Sequence, residues 1–422
     1  MGPRHPPVGN VPLSPAPTEG SPTVRVVLAT RIFTPEPAAA SFRLQSLAEA
    51  LARAGHHVRV LTTRVPEGRA STGGDRASAG GVRASARSES ARGVAVSRWP
   101  VVRDKQGYVR GYLQYLSFDV PLAVRLAVTR ADVVVVEPPP TTGAVVRVMS
   151  TLRRTPYVYY AADVWSDAAA QTGAPKIVVA LLRRLEAWVL RGAARVIAVS
   201  DGVADRVRQL GATHVEVVPN GVDTAIFRPD GDAAAPGPYL LYAGTASEWQ
   251  GADIFARAMP KVLARVPDAR LVYIGQGSAW EHIGELARHL PSGAVELRDA
   301  VPPVEAARWQ RGAVAAVVSI VPGQGYDFAY PTKILAALAS GTPVIYAGVG
   351  PAAADVRDHR LGWVTDYDVD AVVEAMTEAL ERADDGATSA RLTAWVEQHR
   401  SQRSSGERAA AVVAAARGQT TT

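Results

Sequence analysis

Two series of short apolar runs, each alternating with helix-period segments, constrain this chain more than any other feature. Residues 24–30 (VRVVLAT) form a continuous apolar run, as a strand buried on both faces must. Ser41 can cap a following helix whose apolar side is Phe42, Leu44, Leu47, Ala48 and Leu51, and Gly55 ends it. A second strand at 57–61 completes a βαβ unit, whose crossover is right-handed. Further strands are expected at 94–99, 132–136, 157–161 and 195–200, with a helix at 177–190. A second series begins near 239, with strands at 239–243, 270–274, 295–297, 314–319 and 343–346. Helices at 252–265, 280–289, 304–311 and 332–339 separate them. Two such repeats predict an α/β protein of two doubly wound, Rossmann-like domains facing across a cleft. Ligands are then expected beyond the carboxyl ends of the strands.

The expected organisation is a disordered, proline-rich leader at 1–23, an N-terminal domain at 24–218 and a C-terminal domain at 219–390. A helical segment at 391–422 follows, with the option of crossing back to the N-terminal domain. Residues 68–93 hold almost no large apolar side chain and are expected to form a mobile loop. The chain has no cysteine, which excludes disulfides, thiolate metal sites and thiol nucleophiles. No apolar run approaches the ~20 residues of a membrane span, and the leader lacks the apolar core of a secretion signal.

Charge divides unevenly. Residues 1–215 carry 28 Lys+Arg against 15 Asp+Glu, and residues 216–422 carry 18 against 25. A basic N-terminal half suits an anionic membrane face or an anionic acceptor. Arg103, Lys105 and Arg110 lie near Tyr108, Tyr112, Tyr115 and Phe118, a mix that fits a membrane surface. The alternative is that these aromatics belong to the core and the cations face water. Basic residues are not interleaved with aromatics as a nucleic-acid stacking platform requires, so no nucleic-acid partner is expected.

Several loops carry chemistry. Gly244 and Thr245 end a strand in YAGT, and Gly275 and Gly277 end the next in IGQG; glycine there lets backbone approach a phosphate. The richest segment is PTKILAALASGTPVI at 331–345. Pro331 suits a helix start, and Thr332 with the free amides of the first turn can bind an anion. Lys333 opposes the helix dipole unless an anion is present, and it is one of only four lysines. Asn220 sits in PNGVD, a turn between the domains.

These segments, with GHHVRVLTT from Gly55 and VSDGV from Val199, resemble the family 4 glycosyltransferases of the GT-B fold. FTPEP at 33–37, Arg43, Asp163-Val164-Trp165 and Gln250-Gly251-Ala252-Asp253 resemble the branch that builds bacterial O-antigens, capsules and exopolysaccharides. The resemblance implies a retaining transferase, a UDP-linked hexose or N-acetylhexosamine donor held by the C-terminal domain, and no metal or other cofactor. It assigns Lys333 to the diphosphate, Gly244, Thr245, Gln250, Gly275, Gly277, Pro331, Thr332 and Leu335 to the donor, and Asp163 to the sugar. Glu36, Arg43 and Asn220 fall on the acceptor side. The implied acceptor is lipid-linked or a small molecule, and the implied setting is cytoplasmic, peripheral on the inner membrane face.

Three departures stand out. Ala336 replaces the glutamate that bonds the ribose in the family, and Phe328 its paired glutamate; Asp327 beside it is the available substitute. Residues 246–250 (ASEWQ) replace an arginine–lysine pair. These departures leave open a non-catalytic GT-B scaffold or partner subunit. A nucleotide-sugar epimerase is less well matched, since the histidines are scattered.

Overall fold

The computed structural model describes residues 23–418 apart from 37–38, 66–88, 92, 105–108, 110, 172–174, 236–237 and 383–385. Residues 1–22 of the leader, most of the 68–93 loop, and Lys105, Tyr108 and Arg110 therefore lie outside the described residues. The N-terminal domain runs β1 (Arg25–Ala29), α1 (Ala39–Arg53), β2 (His57–Thr63), β3 (Glu89–Ala91), β4 (Val94–Trp99), α2 (Tyr112–Val128) and β5 (Val133–Val136). It continues through α3 (Pro140–Arg153), β6 (Tyr157–Ala161), α4 (Trp165–Gln171), α5 (Lys176–Gly192), β7 (Arg195–Ala198), α6 (Asp201–Gln209) and β8 (Val215–Val217). The strands form one sheet in the order β3-β4-β2-β1-β5-β6-β7-β8, parallel except for β3 at the edge. Chain order reverses between β1 and β5, the switch point where doubly wound sheets open a ligand crevice. The expected strand at 195–200 stops at Ala198 because Ser200 caps α6, accepting from the Val203 amide at 3.3 Å.

The C-terminal domain follows with β9 (Leu240–Thr245), a 3-10 turn at Glu248–Gln250, α7 (Asp253–Arg265), β10 (Leu271–Gln276), α8 (Trp280–Arg288) and β11 (Val295–Asp299). Then come α9 (Pro303–Gly312), β12 (Ala315–Ser319), α10 (Thr332–Ala339), β13 (Val344–Ala347), α11 (Pro351–Asp358), β14 (Gly362–Thr365) and α12 (Val369–Glu381). Its parallel sheet has the order β11-β10-β9-β12-β13-β14. Two doubly wound domains, each a parallel sheet between helices, make this an α/β GT-B fold.

The last two helices part company. α13 (Gly386–His399) buries Leu392 and Val396 with Ile334 and Leu338 of α10. α14 (Gln402–Ala415) buries Ala409, Ala410 and Val413 with Leu44, Leu47 and Leu51 of α1 in the other domain. Small side chains allow this close approach, and Gly406 allows most of it. A Cβ there would stand 2.4 Å from the Ser46 carbonyl oxygen. The two crossings between domains are stitched together: the Val222 amide donates to the Arg400 carbonyl and the Gln402 amide to the Val222 carbonyl, both at 2.8 Å. No described helix is long and apolar enough to cross a membrane.

Candidate active site

One cleft of about 730 Å³ is lined from both domains. Its C-terminal wall begins where β9 and β10 end. Gly244 (φ 121°) turns the chain beside Lys333, and Gly275 lets β10 press against it; a Cβ on Gly275 would meet the Gly244 carbonyl at 2.1 Å. Pro331 precedes α10, so Thr332 and Lys333 occupy its first turn, where amides lack helical partners. Lys333 reaches back over β9. Its Nζ lies 3.8 Å from the Tyr242 ring centroid and donates to the Tyr242 hydroxyl at 2.6 Å and the Thr245 carbonyl at 2.8 Å. Neither partner carries a compensating charge, and burial lowers its pKa to about 7. An amine with no counter-ion at the mouth of a helix N-terminus, which an arriving anion would hold in its protonated form, is an anion receptor.

The same cleft has apolar lining from Ile274, Ala300, Val301, Pro303 and Ala306, the kind of surface on which a flat base can rest. Gln310 of α9 lines the same cleft; it is 2% exposed, and its side-chain oxygen has no hydrogen-bond partner. Ala336 faces the cleft nearby and leaves that space open.

The N-terminal wall is built differently. Arg43 of α1 is 8% exposed and donates to the Glu137 carboxylate, which ends β5. Its other nitrogen reaches Asn220 Oδ1 at 3.4 Å, and its guanidinium lies 5.1 Å from the Tyr160 ring centroid. Burial lowers the Arg43 pKa, but Glu137, Tyr160 and Asp163 together outweigh it, so the net shift is upward. Asp163, just past β6, stands behind this wall and is not among the residues lining the cleft; burial pushes its carboxyl up while the Arg43 charge opposes the rise. Glu186 holds the loop after Asp163 by accepting from the Trp165 and Ser166 amides at 2.9 and 3.0 Å.

The cleft brings together Arg43, Asn220, Gly244, Thr245, Gln250, Gly275, Pro331, Thr332 and Lys333. Other residues singled out from sequence stand elsewhere. Leu335 is 1% exposed and is not among the residues lining the cleft, being two residues of helix (~200°) round from Lys333. The Asp327 carboxylate accepts from the Gly323 amide at 3.0 Å and shapes its own loop. Glu36 faces Arg103 at 3.6 Å, set back from the cleft. Gly277 serves strand packing, since a Cβ would meet the Ala246 carbonyl at 2.2 Å. Gln250 lines the cleft, yet its side-chain oxygen is taken by Ser247 in a capping box. Phe118, one of the aromatics weighed for a membrane surface, is 2% exposed and belongs to the core. Tyr115 packs edge-on to Trp165 with Arg31 over its ring. Sequence reasoning missed Tyr242, Glu137 and Gln310. Glu137 carried a signal, a carboxylate directly after the buried VVVV of β5.

Residues 39–221 match a family described as a glycosyl transferase 4-like domain, and residues 237–382 match glycosyl transferases group 1. Among curated proteins, a D-inositol 3-phosphate glycosyltransferase of Nocardioides sp. is 28% identical over 229 residues, 49% of this chain and 49% of that protein. One from Acidothermus cellulolyticus is 32% identical over 167 residues, 36% of this chain and 37% of that protein. The aligned part thus spans about half or less of the length of these relatives. Among solved structures, sucrose-phosphate synthase from Thermosynechococcus elongatus superposes with a TM-score of 0.63 at 17% identity, covering 92% of this chain and 95% of its own. Anabaena HepE in complex with UDP-glucose gives 0.59 at 14% identity, covering 93% and 100%.

Proposed function

We infer that this chain, a glycosyltransferase of the GT-B fold, moves a hexose or N-acetylhexosamine from a UDP-linked donor to an acceptor hydroxyl with retention at the anomeric carbon. The observation that carries this reading is Lys333: a desolvated amine without an acidic partner, at a helix N-terminus, in a cleft that also has an apolar lining. The paired transferase domains and the UDP-glucose complex of HepE support it.

In this reading the base lies among Ile274, Val301 and Ala306, and the diphosphate meets Lys333, Thr332 and the first amides of α10. The sugar then projects toward the N-terminal wall. The bond from the anomeric carbon to the diphosphate oxygen breaks, and the acceptor oxygen bonds to the same face. The acceptor proton passes to the departing phosphate oxygen. Lys333 and the amides stabilise the charge that develops on the leaving group, so no metal is needed for that task. Asp163 and Asn220 orient hydroxyls.

The acceptor is lipid-linked in our preferred reading, placing the enzyme in cell-surface polysaccharide synthesis at the inner face of the cytoplasmic membrane. A second reading, a small soluble acceptor such as a phosphorylated polyol, is favoured by the similarity to D-inositol 3-phosphate glycosyltransferases.

A thermal-shift series with UDP-, GDP- and dTDP-sugars tests the donor site. A hundredfold excess over Kd stabilises the fold by about 2.7 kcal/mol, so a UDP-sugar should raise Tm clearly. Absence of any shift at millimolar donor would sink the reading; a shift without transfer or donor hydrolysis would favour the non-catalytic scaffold.

A further inference from the structure

The outward surface of the N-terminal helical layer has no task in the chemistry above. α2 is 17 residues long, and its two charges, Asp119 and Arg125, are 2% and 5% exposed. Asp119 accepts from Thr142 at 2.6 Å and Arg125 donates to the Ser97 carbonyl at 2.6 Å, so both are turned inward. Toward solvent the helix shows Leu113, Leu116, Val120, Val124 and Val128, every one more than half exposed. The neighbouring α3 adds Val148 and Leu152, and α5 adds Ile177, Leu181 and Trp188. Single exposed apolar residues are ordinary, but a contiguous face of them is not. Ten of the 17 large apolar residues exposed among the described residues sit on these three helices.

The charges around this face have one sign. The acids within α2, α3 and α5 are Asp119 and Glu186, and both are buried. The exposed charges are Arg153, Lys176, Arg183, Arg184 and Arg191. The nearest flanking acid, Asp167, is held by Arg206 at 2.5 Å and also faces Arg183 at 3.7 Å, which leaves Arg153, Lys176, Arg184 and Arg191 as the cations outside that pair.

We propose that the outward face of α2, α3 and α5 docks onto an anionic lipid surface. Apolar ridges enter the headgroup boundary and the arginines and lysine meet lipid phosphates, the arrangement of an interfacial helix layer. A second copy fits worse, because an isologous contact would set these cations against each other. The helical layer belongs to the same domain as the N-terminal wall: Tyr115 of α2 packs 6.0 Å from Trp165, in the loop that follows β6, and a lipid-borne acceptor would reach the cleft from this domain. Only this last point rests on the transferase reading.

Co-sedimentation of the full chain with phosphatidylcholine vesicles, with or without about one quarter phosphatidylglycerol, tests the proposal. The protein should bind the anionic vesicles at low salt, at least ~10-fold more weakly at ~0.5 M salt, where exposed charges are screened. Val120→Glu with Val124→Glu should cut binding at least ~10-fold, and so should Lys176→Glu with Arg184→Glu, while the UDP-sugar thermal shift shows that each variant is folded. The proposal is overturned by any of three results: no binding to anionic vesicles at low salt, unchanged binding of the valine variant, or a dimer that the valine substitutions convert to monomer. Loss of the donor shift with vesicle binding intact would instead bring down the transferase reading alone.

Discussion

The two walls of the cleft each carry one desolvated cation, and they treat it in opposite ways. Arg43 is paired with Glu137, bonded to Asn220 and set over Tyr160. Lys333 has a phenol and a carbonyl, and its pKa falls to about 7. At the N-terminal wall the cation's charge is matched by Glu137 without a ligand, so this wall can select by shape and hydroxyl pattern. The C-terminal wall is complete only with an anion. Stability is spent there to keep a receptor ready, as strained or unpaired groups at functional sites often are.

Removing Glu137 should break this contrast with the largest effect. Glu137→Ala leaves Arg43 buried and unpaired, a change that costs about 3–5 kcal/mol, read from the urea midpoint at constant m. A loss below about 1 kcal/mol would mean that the pair does not hold the N-terminal wall.

Lys333→Ala should act the other way round. It should lower kcat/KM by ~10²-fold or more, about 3 kcal/mol of transition-state stabilisation, without lowering the stability of the free protein. The titration sharpens the point. In the free protein the amine is neutral above about 7, and a bound diphosphate favours its charged form. Donor binding at pH 8 should therefore take up a proton, visible by calorimetry in buffers of different ionisation enthalpy. Affinity should fall by up to ~10-fold per unit as pH rises past 7. The unfolded chain holds more protons than the fold between about 7 and the ordinary 10.5, so unliganded stability should climb with pH across that window. Near-normal transfer by folded Lys333→Ala, or pH-independent donor affinity, would remove the distinction between the walls.

Gln310 offers the smallest and most local probe. Its unpaired amide on the donor wall should bond the nucleoside, so Gln310→Leu should weaken UDP binding by about 1 kcal/mol, or ~5-fold, while the empty fold holds its stability. Unchanged affinity with a lower Tm would make Gln310 a packing residue instead.

Much of the frame was readable in the chain itself. Short continuous apolar runs rich in β-branched residues, such as VVVV of β5 or LVYIG of β10, read as strands buried on both faces, and their alternation with helical periods points to two doubly wound domains. The PTK segment was equally legible, because Pro331 is a local signal for a helix start and a lysine just inside it is an electrostatic anomaly. α2 was not. It is apolar on nearly all sides, so period alone could not say which side faced in; Phe118 went to the core and Leu116 and Val120 to the surface.

What local pattern determined, then, was where the chain is buried, where it turns and where one anion-seeking corner stands. Tertiary structure decided the partners. Arg43 and Glu137 are 94 residues apart, and Lys333 and Tyr242 are 91 apart. Asp327 and Glu36, both plausible site carboxylates by composition, were claimed by the Gly323 amide and Arg103. The return of α14 to α1 rests on alanines and a glycine whose only message in sequence is that they are small. Side-chain pairing depends on which strand ends meet at the sheet's switch point, and that is a property of the packed sheet, set by contacts no local window contains.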